Sequence, residues 1–176
     1  MGNRVLLSIA AGLLASQGAL ADASEDFHAL LDEAWEWYLE QHPMVASRAG
    51  DRRYNTEWRD RSLAAIEVRH LQRRDFLRRA YAVDKTALSE TDQLDYELFR
   101  RDLQRRVDQH QFQGFLMPFN QRGGVQNLDG QASYLRLETV QDYEDWLERL
   151  DKIDTVIDQT IEVANRGIEQ DIVLPR

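Results

Sequence analysis

The chain has 176 residues, no cysteine, and a formal net charge of −9 at pH 7. That balance argues against a nucleic-acid binder, which needs cationic surface to displace counterions from phosphates. The missing cysteines exclude disulfides and thiolate metal sites, so packing alone must hold the fold.

Met1-Gly2-Asn3-Arg4 is a short positive start, Val5 to Ala15 is apolar, and Ala19-Leu20-Ala21 has the small-x-small form of a cleavage site. Residues 1–21 are therefore expected to be a secretory signal peptide, and residues 22–176 the mature chain, long enough for one domain. No twin arginine, lipidation cysteine or myristoylation pattern accompanies it. The expected location is the bacterial periplasm or outside the cell, with no membrane association after cleavage.

The first predicted helix begins near Ser24, where Glu25 and Asp26 suit the positive N-terminal dipole. Phe27, Leu30, Leu31, Ala34, Trp35 and Tyr38 form its apolar stripe, and His42-Pro43 ends it. Trp35, Trp37 and Tyr38 read as aromatic core before they read as a stacking platform. Met44 to Arg61 is expected to be irregular, with a turn at Gly50-Asp51 and Asp51-Arg52-Arg53 as a binding-loop candidate. Ser62 caps a second helix reaching Ala82, whose face carries Ile66, His70, Arg73, Leu77 and Tyr81. Ser89-Glu90-Thr91-Asp92 opens a third through Leu94, Leu98, Phe99, Leu103 and Val107. The short connection predicts that these two helices form an antiparallel hairpin.

Phe115 to Gly124 breaks the pattern. Phe115-Leu116-Met117-Pro118-Phe119-Asn120 has no helical period, and Gly123-Gly124 follows it. A loop this apolar is expected to pack against the helices it joins, as a buried connection or as one wall of a cleft. Thr139-Val140-Gln141-Asp142 then opens a fourth helix with a continuous stripe of Tyr143, Trp146, Leu147, Leu150, Ile153, Ile157, Ile161 and Ala164. Gly167 is expected at its C-terminal stop. The predicted fold is all-α, an antiparallel bundle of about four long helices with the Pro/Gly loop between the third and fourth. Its apolar end, Ile172 to Arg176, suggests a piece of a larger helical fold.

The arginine pairs at 73–74, 78–79, 100–101 and 105–106 stand among acids at helical spacing, which predicts a solvated or paired face rather than an anion site. No H-E-x-x-H is present, and none of His28, His42, His70 and His110 is followed by Glu. Glu25-x-x-His28 and Glu67-x-x-His70, with Glu97 and Glu144, could supply a di-metal carboxylate bundle. However, both pairs fall on the first two helices, against the usual alternation. No serine elbow, cysteine nucleophile or phosphate loop exists. From residue chemistry alone, no residue is assigned a catalytic, cofactor-binding or metal-binding role.

Several segments in order carry a resemblance. Leu31-Asp32-Glu33-Ala34-Trp35-Glu36-Trp37 precedes Gly50-Asp51-Arg52-Arg53-Tyr54-Asn55 and Leu94-Asp95-Tyr96-Glu97-Leu98. Pro118-Phe119-Asn120-Gln121 with Gly123-Gly124 follows, then Asp142 to Leu150, Gly167-Ile168 and Ile172-Val173-Leu174-Pro175-Arg176. Together they resemble the N-terminal part of the bacterial domain-of-unknown-function family eight-eight-five. The resemblance implies a large, helical, exported parent that hydrolyses peptide bonds at zinc. Its H-E-x-x-P-G-H signature lies downstream of anything present here. No family ligand transfers to a residue of this chain, so no cofactor is expected in it, while zinc and a peptide substrate are expected of the parent. Asn120, Gln121 and Gly123-Gly124 would then face a cleft. Asp171 stands where the family pattern has a second glycine, which implies a slightly different terminal turn. The expected role is a non-catalytic helical scaffold. The alternatives are a freestanding periplasmic binding or adaptor module, and the di-metal bundle.

Overall fold

In the computed structural model residues 23–120 and 124–174 are described. The expected signal peptide, and Gln121 and Gly123 of the loop, lie outside them. The architecture is all-α, and among the described residues there is no strand. Helix α1 spans residues 23–41, α2 Pro43–Ala49, α3 Leu63–Ala82, α4 Glu90–His110, α5 Val140–Asp151 and α6 Ile153–Glu169. Among the described residues no helix is long and apolar enough to cross a membrane. The chain divides into two compact units, Met1–Ala34 with Gln72–Val107, and Trp35–Leu71 with Asp108–Arg176.

In the first unit Phe27, Leu88 and Tyr96 are buried together, with Ala23, Leu31, Val83 and Phe99 packed around them. The Phe27 and Tyr96 rings meet edge-on at 6.0 Å, the arrangement that aromatic quadrupoles favour. Ser89 Oγ caps α4 by accepting the Asp92 N–H at 3.2 Å. The Asp92 carboxylate also reaches α1. It accepts from Ser24 Oγ at 2.7 Å and lies 2.8 Å from His28 Nε2. Because Asp92 is drawn inward, the buried face of α4 is Asp92, Tyr96 and Leu103, while Leu94 and Leu98 are exposed, contrary to the expected stripe. Within this unit Tyr81 of α3 meets Arg100 and Gln104 of α4, across the short 83–89 connection. That contact leaves Tyr81 half exposed instead of buried on the α3 face. The buried residues of α3 are Arg69, Phe76, Leu77 and Ala80.

In the second unit the stretch expected to be irregular begins with a helix. His42 closes α1, its Nδ1–H donating to the Tyr38 carbonyl at 2.8 Å. Pro43 then occupies the first turn of α2, where a missing N–H costs nothing. Gly50 ends α2 at φ +91, with its N–H on Ser47 O and the Asp51 N–H on Ala46 O, a Schellman closure.

The expected fourth helix is two. The Arg149 carbonyl accepts the Trp58 indole N–H and the Lys152 N–H, and α5 ends there, as helices kink where a side chain enters the backbone ladder. The Thr139–Asp142 capping box is present in full. The apolar stripe, however, is largely on the outside: Tyr143, Leu147, Ile157 and Ile161 are exposed. The buried face is Asp142, Arg149, Val156, Thr160, Val163 and Gly167.

Gly167 is not a terminator. It sits inside α6, where an added Cβ would lie 2.5 Å from the Leu116 carbonyl oxygen. The close approach seats the apolar loop on α6, with Leu116 buried and Phe115 stacked on the His110 ring at 5.2 Å. The real stop comes four residues later. Ile172 N–H bonds Gly167 O, Asp171 N–H bonds Ile168 O, and Asp171 takes φ +58. This too is a Schellman closure, with Asp171 in the left-handed slot that usually holds glycine.

Candidate functional site

The segment from Arg52 to Arg61 runs beside α5 and α6 and is joined to them by side chains throughout. Arg52 pairs with Asp142 and reaches Thr139 Oγ1. Asn55 donates to Asp145 at 3.2 Å. Lys152 Nζ reaches the Thr56 carbonyl at 3.1 Å and Glu57 at 2.7 Å, and the Arg61 N–H donates to Gln159 Oε1 at 2.8 Å. The partners 142, 145, 149 and 152 follow at three- and four-residue steps along α5 and its end, and 159 lies on α6.

Arg149 is the centre of this ladder and is completely buried. Its Nη2 donates to the Tyr54 carbonyl at 2.6 Å and to Ser47 Oγ at 2.9 Å, Nη1 meets Met44 Sδ, and the Trp58 ring lies under the guanidinium. Nε has no hydrogen-bond partner. No carboxylate touches the head group among the described residues. Burial therefore dominates and pulls its pKa down to about 10, still protonated at neutral pH. A cleft of about 190 Å³ opens beside it, lined by Arg52, Asn55, Arg136, Glu138, Asp145 and Trp146 among others. Its arginines and acids largely offset one another.

Two further clefts share Arg59 and Arg61. The first, about 310 Å³, runs past Met44, Trp58, Gly124, Asn127 and Leu128. The second, about 210 Å³, lies against Ile66, Arg69, Phe115, Pro118, Thr160 and Val163. The Phe115–Gly124 loop thus supplies Phe115 and Pro118 to one wall and Gly124 to the other. Of the loop residues expected to face a cleft, Gly124 does so and Asn120 lines neither.

Other candidate residues from the sequence have structural partners. Arg78 and Arg79 bind Asp75 and Glu33, Arg100 binds Glu97, and Arg105 and Arg106 bind Asp102, the paired face that their spacing predicts. Arg53 is clasped by Asp51 and Glu36, so the Asp51-Arg52-Arg53 turn is a structural element of the ladder. Trp35 stacks on Tyr38 and Tyr38 on His42, with Trp35 half exposed.

Among the described residues the candidate metal ligands are not arranged around a zinc ion or a metal pair. Glu97 is held by Lys85 and Arg100, Glu67 lies 3.1 Å from His110 Nε2, and His28 is on Asp92. His70 and His110 stack at 3.7 Å with their planes 15° apart. Imidazole lone pairs lie in the ring plane, so two stacked rings cannot converge on one ion. Among the described residues no three metal-binding side chains come together.

The family model described as bacterial protein of unknown function (DUF885) matches residues 43–176. No curated protein and no solved structure matches the chain.

Proposed function

The chain belongs to the bacterial DUF885 family, and from that premise we propose that it is a non-catalytic helical scaffold of an exported, zinc-metallopeptidase-like protein whose reaction is peptide-bond hydrolysis. The observation that carries the reading is the Arg149 ladder. It uses the polar residues of α5 and α6 to fasten the Arg52–Arg61 segment, and commits them to holding shape rather than to chemistry. The histidines, Glu67 and Glu97 are likewise tied to neighbouring side chains. In this reading the chain places the clefts under the Phe115–Gly124 loop, and metal ligands and general base come from an H-E-x-x-P-G-H region elsewhere in the parent.

The test is to purify the chain, measure bound zinc and iron by mass spectrometry, and assay peptide hydrolysis with and without added zinc. The expected result is a cooperatively melting, metal-free protein with no peptidase activity. Stoichiometric metal, or zinc-dependent cleavage by this chain, would overturn the reading. A second reading, a freestanding periplasmic binding module, is favoured by one observation: the two clefts that share Arg59 and Arg61 are already formed in this chain. Reading the DNA past codon 176 separates the two. The H-E-x-x-P-G-H region supports the scaffold, and an unrelated gene supports the module.

A further inference from the structure

The whole chain is acidic, yet the two clefts that share Arg59 and Arg61 have no carboxylate among their described lining residues. They are lined instead by Arg59, Arg61 and Arg69 against apolar surface. Arg61 is the informative one. Its backbone N–H is used to hold Gln159, but its guanidinium meets no acceptor and no anion among the described residues. Burial lowers its pKa, acting against the charge. A half-buried guanidinium left in this state carries a desolvation cost that an anionic acceptor would offset. Its neighbours fit that purpose. Arg69 is almost wholly buried at the base of the second cleft and Arg59 is exposed at the edge of both. Trp58, Met44 and Leu128 on one side, and Ile66, Phe115, Pro118 and Val163 on the other, offer apolar walls.

We propose that this arginine-bearing pair of clefts is a binding site for a carboxylate attached to an apolar group. A planar carboxylate would take two parallel N–H donors from Arg61, as guanidinium and carboxylate geometries match in a fork. The apolar substituent would enter one of the flanking clefts, whose volumes suit a single large side chain or a short alkyl chain rather than an extended polymer. Such a carboxylate could be the C-terminal end of a peptide or a free alkyl acid. This inference does not rest on the scaffold reading, because every described lining residue of the two clefts lies in one unit of this chain.

The experiment is calorimetric titration of the full chain with N-acetyl-phenylalanine, its C-terminal amide, and octanoate, at low and at moderate salt. The free acids are expected to bind and the amide to bind about 10- to 100-fold more weakly, the range set by charge-assisted hydrogen bonds. Preference for N-acetyl-phenylalanine assigns the site to a peptide terminus, and preference for octanoate to an alkyl acid. Arg61→Gln is expected to lower the affinity of either acid by a similar factor while leaving the melting temperature unchanged or raised, since only the backbone of Arg61 holds Gln159 and the half-buried charge is removed. Equal binding of acid and amide, no binding of either acid, or an Arg61→Gln protein that binds like the parent each overturns the proposal. A metal-free, peptidase-inactive preparation that still binds the acids would separate this site from the outcome of the scaffold test.

Discussion

The Cβ that Gly167 lacks would lie 2.5 Å from the carbonyl oxygen of Leu116, and 3.0 Å from that of Ile172. Both obstacles are backbone, so neither can rotate away. Gly167→Ala is expected to destabilise the chain by about 1–3 kcal/mol, the usual cost of forced overpacking, despite alanine's better helix propensity. Urea unfolding measures it. An unchanged or raised midpoint would mean that the loop does not sit on α6 as described.

Asp171 makes the opposite case. It occupies the left-handed slot at φ +58, where an L side chain is strained and glycine is not. Asp171→Gly is expected to stabilise by roughly 0.5–1 kcal/mol and to raise the melting temperature by a few degrees. A drop in melting temperature would contradict the Schellman closure.

Arg149→Ala removes the donors to the Tyr54 carbonyl and Ser47 Oγ, and leaves a void beneath Trp58. We expect a loss of about 2–4 kcal/mol, combining unsatisfied polar groups with lost packing. Arg149→Met, which keeps the volume and drops a buried charge that has no carboxylate partner, should cost less. If the two variants prove equally unstable, cavity formation is not a significant part of the loss.

Acid should unfold the protein through a specific set of carboxylates. Hydrogen bonds from Ser24 and then His28 hold the Asp92 pKa below its usual value. Thr139 does the same for Asp142. Lys85 and then Arg100 bring Glu97 to about 2. A depressed folded pKa adds stability that is fully present above the unfolded pKa, and this stability is lost as pH falls through the folded one. Melting temperature should therefore be insensitive to these three groups above pH ~5, and fall steeply as pH drops from ~4.5 towards ~2. Asp92→Asn should flatten that decline. A profile that stays level to pH ~2 would rule out the pairings as a source of stability.

Much of the fold is written locally, in residues whose effect depends on near neighbours. Ser62 and Thr139 sit where the α3 and α5 caps form, Pro43 and Gly50 bracket α2, and Arg78, Arg79, Arg100, Arg105 and Arg106 find acids three or four residues away. Each of these outcomes is decided by hydrogen bonds or charges within one turn. The apolar stripes misled for a related reason. Tyr143, Leu147, Ile157 and Ile161 have flawless helical spacing, but periodicity identifies a face without saying which surface will cover it. The polar positions 142, 145, 149, 152 and 159 carry an equally regular period. That was the signal available for the ladder, visible only if polar residues are allowed to be the inward side.

Local chemistry is therefore enough for the all-α class, the principal caps and the arginine–acid pairs within one turn. Only tertiary packing buries Arg149, brings Gly167 against Leu116, and sets Arg59 and Arg61, with Arg69 in one case, around clefts with no described carboxylate. These relationships join residues about fifty to a hundred positions apart in several cases. They depend on desolvation and on steric fit between distant segments. Neither leaves a period or a cap in the chain to be read.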